Sequence, residues 1–235
     1  KRFMGFVYTL AGEHALSIRV NDLFTAPLGA IQASIAPPSG DDFGSSVQGQ
    51  VSYNQNPSFI RTNDNFAAIL LDEESYGRVA DLGCGCGLTG AKVRSRAQYI
   101  VGVDMNGPAL EVANDQGIYD DLKRQDMLEF LRQDTQPYDL IMSCMGIEWF
   151  YETEDIFKLA WQRLAPGGRL AFAVVPCRDG PVRATEDLLS GLRWFSFDPD
   201  DLADQAKSVG FHVARQELHP YAYSAGAFFL LQRPG

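Results

Sequence analysis

The residues with the clearest chemical potential lie at positions 81–90, where one acid precedes four closely spaced glycines. Asp81 ends a short apolar run and is followed by Gly83, Gly85, Gly87 and Gly90. Glycine permits tight turns and a close approach of the backbone to a ligand, because it has no Cβ to collide. The carboxylate would repel a pyrophosphate and would suit a cationic ammonium or sulfonium group. This stretch therefore predicts a nucleotide-type ligand site with room for a cationic end.

Three further motifs follow the glycine-rich stretch in order. An apolar run ends in Asp104, residues 125–127 read Gln-Asp-Met, and residues 164–170 read Leu-Ala-Pro-Gly-Gly-Arg-Leu. Together with residues 81–87, Asp-Leu-Gly-Cys-Gly-Cys-Gly, they resemble the motif series of the class I S-adenosylmethionine-dependent methyltransferases, and most of all the stand-alone small-molecule enzymes of that family. The resemblance implies S-adenosylmethionine as cofactor and methyl donor, with S-adenosylhomocysteine as its product.

The resemblance also implies roles for the residues that contact the cofactor. Asp81 would lie near its amino-acid end, Asp104 would accept hydrogen bonds from both ribose hydroxyls, and Met105 would pack on an adenine face. Asp126 would accept the adenine amino group, and the backbone N–H of Met127 would bind a ring nitrogen. Two structural alternatives stay open: Asp104 as a strand-end cap and Asp126 as a helix N-cap. The predicted cofactor-binding set is Asp81, Gly83, Cys84, Gly85, Gly87, Asp104, Met105, Asp126, Met127 and Ser143.

A second ligand class fits the same glycines. Residues 85–90 match Gly-x-Gly-x-x-Gly, and Asp104 lies near the distance expected for the ribose-binding acid of a dinucleotide fold. Asp81 and the Pro-Gly-Gly turn at residues 166–168 favour the methyl donor. An NAD-type oxidoreductase and a catalytically inactive scaffold that keeps the cofactor-binding fold are the two alternatives.

The acceptor side of the site is predicted at the tip of the fourth strand, residues 143–151. Methyl transfer by in-line displacement needs alignment and exclusion of water, and it needs a general base only where the acceptor arrives protonated. Methyltransferases of adenine or glutamine amino groups carry Asn/Asp-Pro-Pro-Tyr here, so its absence argues against those substrates. Core packing is the alternative for the aromatic residues, and a solvated acid is the alternative for Glu148. The candidate catalytic residues are Glu148, His219 and Tyr151, and the candidate substrate residues are Trp149, Phe150, Tyr223 and Tyr53.

Composition limits the partners. Thirty acids against 20 Lys and Arg give the chain a formal charge of −10, and no basic run is present. A nucleic-acid substrate is therefore disfavoured, and a small, neutral or cationic acceptor methylated on O, N or activated C is expected. The sequence contains no run long enough to span a membrane, and its four cysteines form no C-x-x-C pair, so we expect a cytoplasmic protein without a metal site. The sequence leaves the oligomeric state open.

The elements that must position these residues alternate between strand and helix from residue 66 onward. This pattern is typical of an α/β fold, and the resemblance implies a Rossmann-like sheet of seven mostly parallel strands with an antiparallel C-terminal hairpin and helices on both faces. Residues 66–235 are predicted to form the methyltransferase core, and the turn-rich residues 1–65 a cap or lid over the acceptor site. Strands are predicted at residues 78–82, 99–103, 122–125, 138–143, 169–175, 211–218 and 225–232, and helices at 66–71, 88–97, 108–115, 128–132, 153–163 and 198–208.

Overall fold

The computed structural model describes residues 51, 54–71, 75–177, 180–186, 193–221 and 224–235. Its helices in that part of the chain are α1 Pro57–Leu70, α2 Leu88–Val93, α3 Gly107–Asp115, α4 Met127–Gln133, α5 Glu154–Arg163 and α6 Pro199–Val209. Its strands are β1 Tyr76–Leu82, β2 Ala97–Asp104, β3 Asp121–Arg124, β4 Tyr138–Cys144, β5 Leu164–Val174, β6 Val182–Glu186, β7 Arg193–Phe197, β8 His212–Tyr221 and β9 Ser224–Gln232.

Seven of these strands form one sheet in the order β3-β2-β1-β4-β5-β9-β8. Strands β1 to β5 pair in parallel, while β9 runs antiparallel to both β5 and β8. The predicted α/β class, with its antiparallel C-terminal hairpin, is confirmed. Strand order reverses between β1 and β4, and in such sheets ligands bind outside the carboxyl ends of the strands at that point.

The sheet is buried on both faces. Because side chains alternate along a strand, Val79 of β1 points into one apolar core and Ala80 into the other. The first core lies under α1 and α2, and the second lies under α4, α5 and α6. Rings of Phe172 and Phe229 stack in the second core with their centroids 4.6 Å apart, which ties β5 to its antiparallel neighbour β9. Helices on both faces were predicted, and the two cores confirm them.

Local sequence explains where the helices that follow these strands begin. Asp126 caps α4 by accepting hydrogen bonds from the backbone N–H groups of Leu128 and Glu129. Asp198 caps α6 in the same way, with Pro199 in its first turn and Gly210 closing its end in a left-handed conformation. Each cap fixes the direction in which the chain leaves the sheet edge.

Four predicted boundaries are wrong. Helix α1 begins at Pro57 rather than at residue 66, so the predicted boundary between cap and core falls inside a helix. Helix α2 ends at Val93 and passes into the 3₁₀ turn Arg94–Arg96, whereas one helix was predicted over 88–97. Strand β5 begins at Leu164, since its Pro-Gly-Gly segment still pairs with the C-terminal residues. Strand β8 runs to Tyr221, so His219 lies within a strand and not in the predicted connection.

The hairpin of β6 and β7 was not predicted at all. It forms a separate two-stranded sheet between β5 and α6. Residues 182–186 read Val-Arg-Ala-Thr-Glu, a short alternation with Val182 as its one large apolar residue, which is too weak a pattern to mark a strand. The hairpin is attached to the end of β5, because the N–H of Phe197 donates to the carbonyl of Val175 at 3.1 Å. It therefore adds a wall at the carboxyl edge, beside the tip of β4.

Candidate functional site

The glycine-rich loop leaves β1 at the carboxyl edge and is fastened to β2. The N–H groups of Gly83 and Cys84 both donate to the carbonyl of Val103, at 2.8 and 3.1 Å. Gly85 has a φ of +51°, and a Cβ added to it would meet no atom within 4 Å. A left-handed glycine that faces open space is what a close backbone approach to a ligand requires. Gly85 is therefore the position at which this loop leaves room for a ligand.

Asp104 holds that loop in place. One carboxylate oxygen accepts a hydrogen bond from the N–H of Gly85, and the other accepts one from the N–H of Asn106, both at 2.8 Å. Asp104 thus caps the end of β2, as the structural alternative expected. Each carboxylate oxygen has a second acceptor site, so both can still receive a hydroxyl. The capping role and the predicted ribose-binding role are compatible.

Asp81 is buried beneath the loop and hydrogen-bonded to a residue that sequence reasoning missed. Only 1% of Asp81 is exposed, and the hydroxyl of Tyr119 donates to its Oδ2 at 2.7 Å. Burial raises the pKa of Asp81 from 3.8 to about 7; the Tyr119 hydrogen bond opposes this rise and the charge of Asp104 adds to it. Burial also raises the pKa of Tyr119, so the phenol stays protonated and can donate to the Asp81 carboxylate.

Tyr119 occupies space that three glycines leave open. A Cβ on Gly90 would lie 2.6 Å from the ring carbon Cζ of Tyr119, and one on Gly102 would lie 3.0 Å from its Cδ1. A Cβ on Gly87 would lie 3.2 Å from Cε2 and 2.6 Å from a methyl group of Ile118. These glycines therefore make room for protein side chains, unlike Gly85. Since Tyr119 lies just before β3 and far from the loop in sequence, no local pattern indicates this contact.

The part of the site that is predicted to bind adenine is less enclosed than the region around Asp81. Met105 is 66% exposed at the end of β2, in a position open to a flat ligand. Asp126 uses Oδ1 for the α4 cap, which realises the N-cap alternative, and within the described part of the chain its Oδ2 has no recorded hydrogen bond. Met127 is buried, and its terminal methyl group lies against Gly83 and Gly146. A role of Asp126 and Met127 toward adenine stays a prediction.

The tip of β4 is tied to β1 by a predicted cofactor residue. The hydroxyl of buried Ser143 donates to the carbonyl of Leu82 at 2.8 Å. Gly146 packs against this pair, because a Cβ there would lie 2.5 Å from the Ser143 oxygen. Among the residues that the structure describes, Met145 is the one non-glycine with positive φ, at +65°. Such strained conformations concentrate at functional sites, and this one directly follows β4.

The predicted acceptor residues separate into buried and exposed groups. The 3₁₀ turn Ile147–Trp149 follows β4, and its Glu148 is 5% exposed, so the alternative of a solvated acid is wrong. Trp149 and Tyr151 are 53% and 60% exposed, which excludes core packing for them, while Phe150 is half-buried against the second core. The Tyr151 ring makes an edge contact with Phe195 of β7, with centroids 5.5 Å apart.

A buried polar chain links α1 to this tip. Asn63 donates to the carbonyl of Phe59 at 2.8 Å and accepts a short hydrogen bond from the hydroxyl of Thr89 in α2. The Thr89 hydroxyl also lies close enough to Cys144, at the end of β4, to lower the pKa of that thiol slightly. Burial, with the charges of Glu148 and Asp81, raises the pKa of Cys144 well above its usual range. Helix α1 is therefore connected directly to the loops that build the site.

The remaining candidate site residues lie either far from the tip of β4 or outside the residues that the structure describes. His219 lies on β8, three strands from β4 in the sheet order, which corresponds to about 14 Å at the usual strand spacing. Its Nε2 is 2.6 Å from a carboxylate oxygen of Glu217, and its ring packs on Phe228. Tyr53 and Tyr223 lie outside the residues that the structure describes. The four cysteines, all within the described ranges, form no disulfide.

A cavity of about 350 Å³ lies beside the exposed aromatic residues. It is bounded by the start of α5, the β6–β7 hairpin and α6. Carboxylates and aromatic rings share its wall, so it suits a compact molecule that is neutral or positively charged. Its lining residues are Tyr151, Glu152, Thr153, Glu154, Asp155, Pro181, Val182, Phe197, Asp201 and Gln205.

Residues 79–168 match a family described as a methyltransferase domain. That range contains the glycine loop, Asp104, the α4 cap and the tip of β4. The sheet order, with its antiparallel β8–β9 pair, also differs from the all-parallel six-stranded order of the dinucleotide-binding fold. The family match and the sheet order are therefore those that the resemblance to the class I S-adenosylmethionine-dependent methyltransferases predicts.

Curated relatives carry methyltransferase names. The chain is 25% identical over 123 residues to malonyl-(acyl-carrier protein) O-methyltransferase of Salmonella typhimurium, covering 52% of this chain and 49% of that protein. It is 34% identical over 136 residues to trans-aconitate 2-methyltransferase of Streptomyces avermitilis, covering 54% and 48%. The chain spans about half the length of these relatives.

Solved structures share the fold. N-methyltransferase NodS from Bradyrhizobium japonicum, in complex with S-adenosylhomocysteine, superposes with a TM-score of 0.61 at 14% identity, over 78% of this chain and 91% of its own. Magnesium protoporphyrin IX methyltransferase from Synechocystis, with bound S-adenosylmethionine, gives 0.58 at 17% identity over 83% and 86%. In the described part of this chain, helices with the length and apolarity needed to cross a membrane are absent.

Proposed function

We propose that this protein binds S-adenosylmethionine at the carboxyl edge of β1 and β2 and transfers its methyl group to a small molecule. The observation that carries the proposal is the Asp104 carboxylate, which holds the N–H of an open, left-handed Gly85 at 2.8 Å. This pair joins a ligand-accessible backbone turn to an acceptor group suited to a ribose. The family match over residues 79–168 supports it.

The residues present fit the cofactor. Gly85 offers a surface that a Cβ would obstruct, and Asp104 keeps acceptor capacity for two hydroxyls. Exposed Met105 and the second oxygen of Asp126 lie where an adenine would extend. Buried Asp81 supplies a negative charge for the cationic amino-acid end. The amino-acid end of the cofactor would then lie at the glycine loop, its ribose at the end of β2 and its adenine at the α4 cap.

Bound here, the cofactor supplies a methyl group already activated by its sulfonium. The task of the chain is then to orient the acceptor and to exclude water. Trp149 and Tyr151 provide exposed rings for the acceptor next to the β4 tip. Glu148, buried in the same turn, is the candidate to take a proton where the acceptor arrives protonated.

The acceptor is proposed to be small and neutral or cationic. The cavity beside Tyr151 is lined by carboxylates, and the chain carries −10 overall. Both features disfavour binding of a nucleic acid, because its phosphate backbone is also negatively charged. The curated relatives are named for small acceptors or for an acyl group on a carrier protein. A cytoplasmic location remains a prediction.

The N-terminal residues are proposed to complete the acceptor site as a lid. Helix α1 packs on α2 and β8, and its Asn63 reaches Thr89 at the start of α2. Val51, which precedes α1, packs against the cluster that contains Cys86 of the glycine loop, at the carboxyl edge. A lid there would shield the sulfonium from water.

Cofactor binding is tested by titration calorimetry with S-adenosylmethionine and S-adenosylhomocysteine. Asp104→Ala removes a carboxylate that holds the loop and would bind ribose, so affinity should fall at least about tenfold. Asp139→Ala is the matched control, because its carboxylate also accepts one backbone N–H at 2.8 Å, from Arg78 at the opposite edge of the sheet. The control should bind as the unaltered chain does.

Two results would redirect the proposal. Saturable NAD binding without binding of either sulfur compound would favour the oxidoreductase. Cofactor binding without turnover on a broad acceptor panel would favour the inactive scaffold.

The acceptor class is tested by methylation of small molecules, bulk tRNA and DNA with labelled cofactor. Trp149→Ala should reduce turnover of the accepted small molecule while leaving cofactor affinity within about twofold. Leu218→Ala is the control, since Leu218 is 58% exposed on distant β8. Salt-sensitive methylation of a polynucleotide would refute a small acceptor.

The lid is tested by deleting residues 1–50, which leaves α1 intact. The shortened chain should bind cofactor and lose acceptor turnover. Full turnover would show that these residues are not a lid.

A further inference from the structure

The environment of Asp81 contains one hydrogen-bonding side chain with a clear geometric fit. Tyr119 reaches Oδ2 of Asp81 at 2.7 Å while its ring fills the space beside Gly90 and Gly102. A ring held on several sides cannot turn away without creating a void. The hydroxyl is therefore aimed at the carboxylate by packing and not by the hydrogen bond alone.

The other groups around Asp81 do not neutralise it. Asp104 is a like charge, and Cys84 and Cys144 are thiols whose pKa values are raised well above the usual range, chiefly by burial. The backbone of Gly90 adds one hydrogen bond. Within the described residues, the recorded influences on Asp81 include no side-chain cation. The phenol is thus the side chain that supports a negative charge at this position.

We propose that Tyr119 is a positioning residue, which orients the Asp81 carboxylate and stabilises its charge for the cationic amino-acid end of the cofactor. This inference rests on the proposed function, because it assigns a partner to the residue that faces that end. Tyr119 itself makes no contact with the reacting atoms. It acts through Asp81, while its ring supports the glycine loop from below.

A pH dependence follows from this arrangement. Asp81 must be ionised to attract a cation, so affinity should rise as pH passes through the Asp81 pKa of about 7. Loss of the phenol hydroxyl would raise that pKa further, because the hydrogen bond favours the charged form. The rise in affinity should then move to higher pH.

The test is calorimetric titration of S-adenosylhomocysteine from pH 5.5 to 8.5 on the unaltered chain and on Tyr119→Phe. Phenylalanine keeps the ring and removes the hydroxyl. We expect affinity at pH 7 to fall about tenfold and the midpoint of its pH dependence to rise by about one unit. Tyr138→Phe is the matched control, since its hydroxyl donates to a carboxylate oxygen of Asp134, also at 2.7 Å, at the amino edge of the sheet.

A double-mutant cycle with Asp81→Asn separates positioning from simple support of the fold. If Tyr119 acts through Asp81, Tyr119→Phe should change affinity by less than about twofold when residue 81 is already neutral. An equal loss in both backgrounds would overturn the inference. So would binding by Tyr119→Phe with an unchanged pH midpoint.

Failure of the proposed function gives a different result. In that case the unaltered chain itself binds neither S-adenosylmethionine nor S-adenosylhomocysteine. The link between the two residues is then read without ligand, from the Asp81 carboxyl resonance in a ¹³C NMR titration. An Asp81 midpoint that does not rise in Tyr119→Phe refutes the link, whatever the chain binds.

Discussion

Replacing Asp81 by Asn should make the protein more stable at neutral pH. Burial raises the pKa of Asp81 from 3.8 to about 7, a difference of about 3 units. Each unit corresponds to about 1.36 kcal/mol, so ionised Asp81 costs the folded state about 4 kcal/mol. Asparagine has nearly the same shape, carries no charge and can still accept from Tyr119. It should therefore recover most of this cost.

The sign and the pH window follow from linkage. Above the unfolded value near 4, the folded state holds a proton on Asp81 that the unfolded state has released. The stability of the unaltered protein should therefore decline from about pH 4 to about pH 7 and then level off. Asp81→Asn removes this contribution, so its advantage should be small at pH 4 and about 4 kcal/mol at pH 8.

Urea unfolding of ligand-free protein across this pH range measures the difference in the free energy of unfolding. In thermal unfolding at pH 8, the melting temperature of Asp81→Asn should be about 10 °C higher than that of the unaltered chain. Asp115→Asn is a suitable control, because Asp115 is exposed at the end of α3 and should change stability by under about 0.5 kcal/mol. A difference between Asp81→Asn and the unaltered chain that is constant from pH 4 to pH 8 would refute the reasoning. The same variant should bind the cofactor more weakly, as expected where a strained charge serves function.

Other perturbations should separate structural from functional contacts. Gly90→Ala should cost about 1–3 kcal/mol in urea unfolding, because its methyl group would enter the space of Tyr119; unchanged stability would mean that the ring is free to move. Asn63→Ala should cost about 1–3 kcal/mol by leaving the buried Thr89 hydroxyl without its acceptor, and a neutral effect would show that water replaces it. Lys158→Ala breaks an exposed ion pair in α5 and should leave the urea unfolding midpoint unchanged, so a clear loss would contradict its surface setting.

The sequence predicted the parts of the site that lie close together along the chain. Asp81 lies near the end of β1, just before Gly85, and Asp104 ends the next strand, so the motif series and its resemblance to a known family placed them at one edge. The cap of α4 was also anticipated, as the N-cap alternative for Asp126, whereas Asp198 was assigned to the helix that it caps.

Contacts across long stretches of chain could not be predicted. Tyr119 meets Asp81 from 38 residues away, and Thr89 meets Asn63 from 26 residues away. Neither pair has a local pattern, because each depends on how two elements pack. The burial of Glu148 escaped prediction for a related reason: a lone acid after a strand gives no sign that the turn folds inward. The β6–β7 hairpin escaped prediction because β6 offers one large apolar residue, Val182, and so gives only a weak strand pattern.

The ring of Tyr119 and the missing side chain of Gly90 share one small volume, and this has a consequence for how the chain can vary. A larger residue at position 90 needs a smaller one at position 119, so an enlargement at position 90 calls for a matching reduction at position 119. A substitution at Gly90 that abolished activity would therefore be misread as loss of a cofactor contact. Libraries of variants designed to change cofactor binding should vary Gly85 and the residues around it. They should treat positions 90 and 119 as a linked pair.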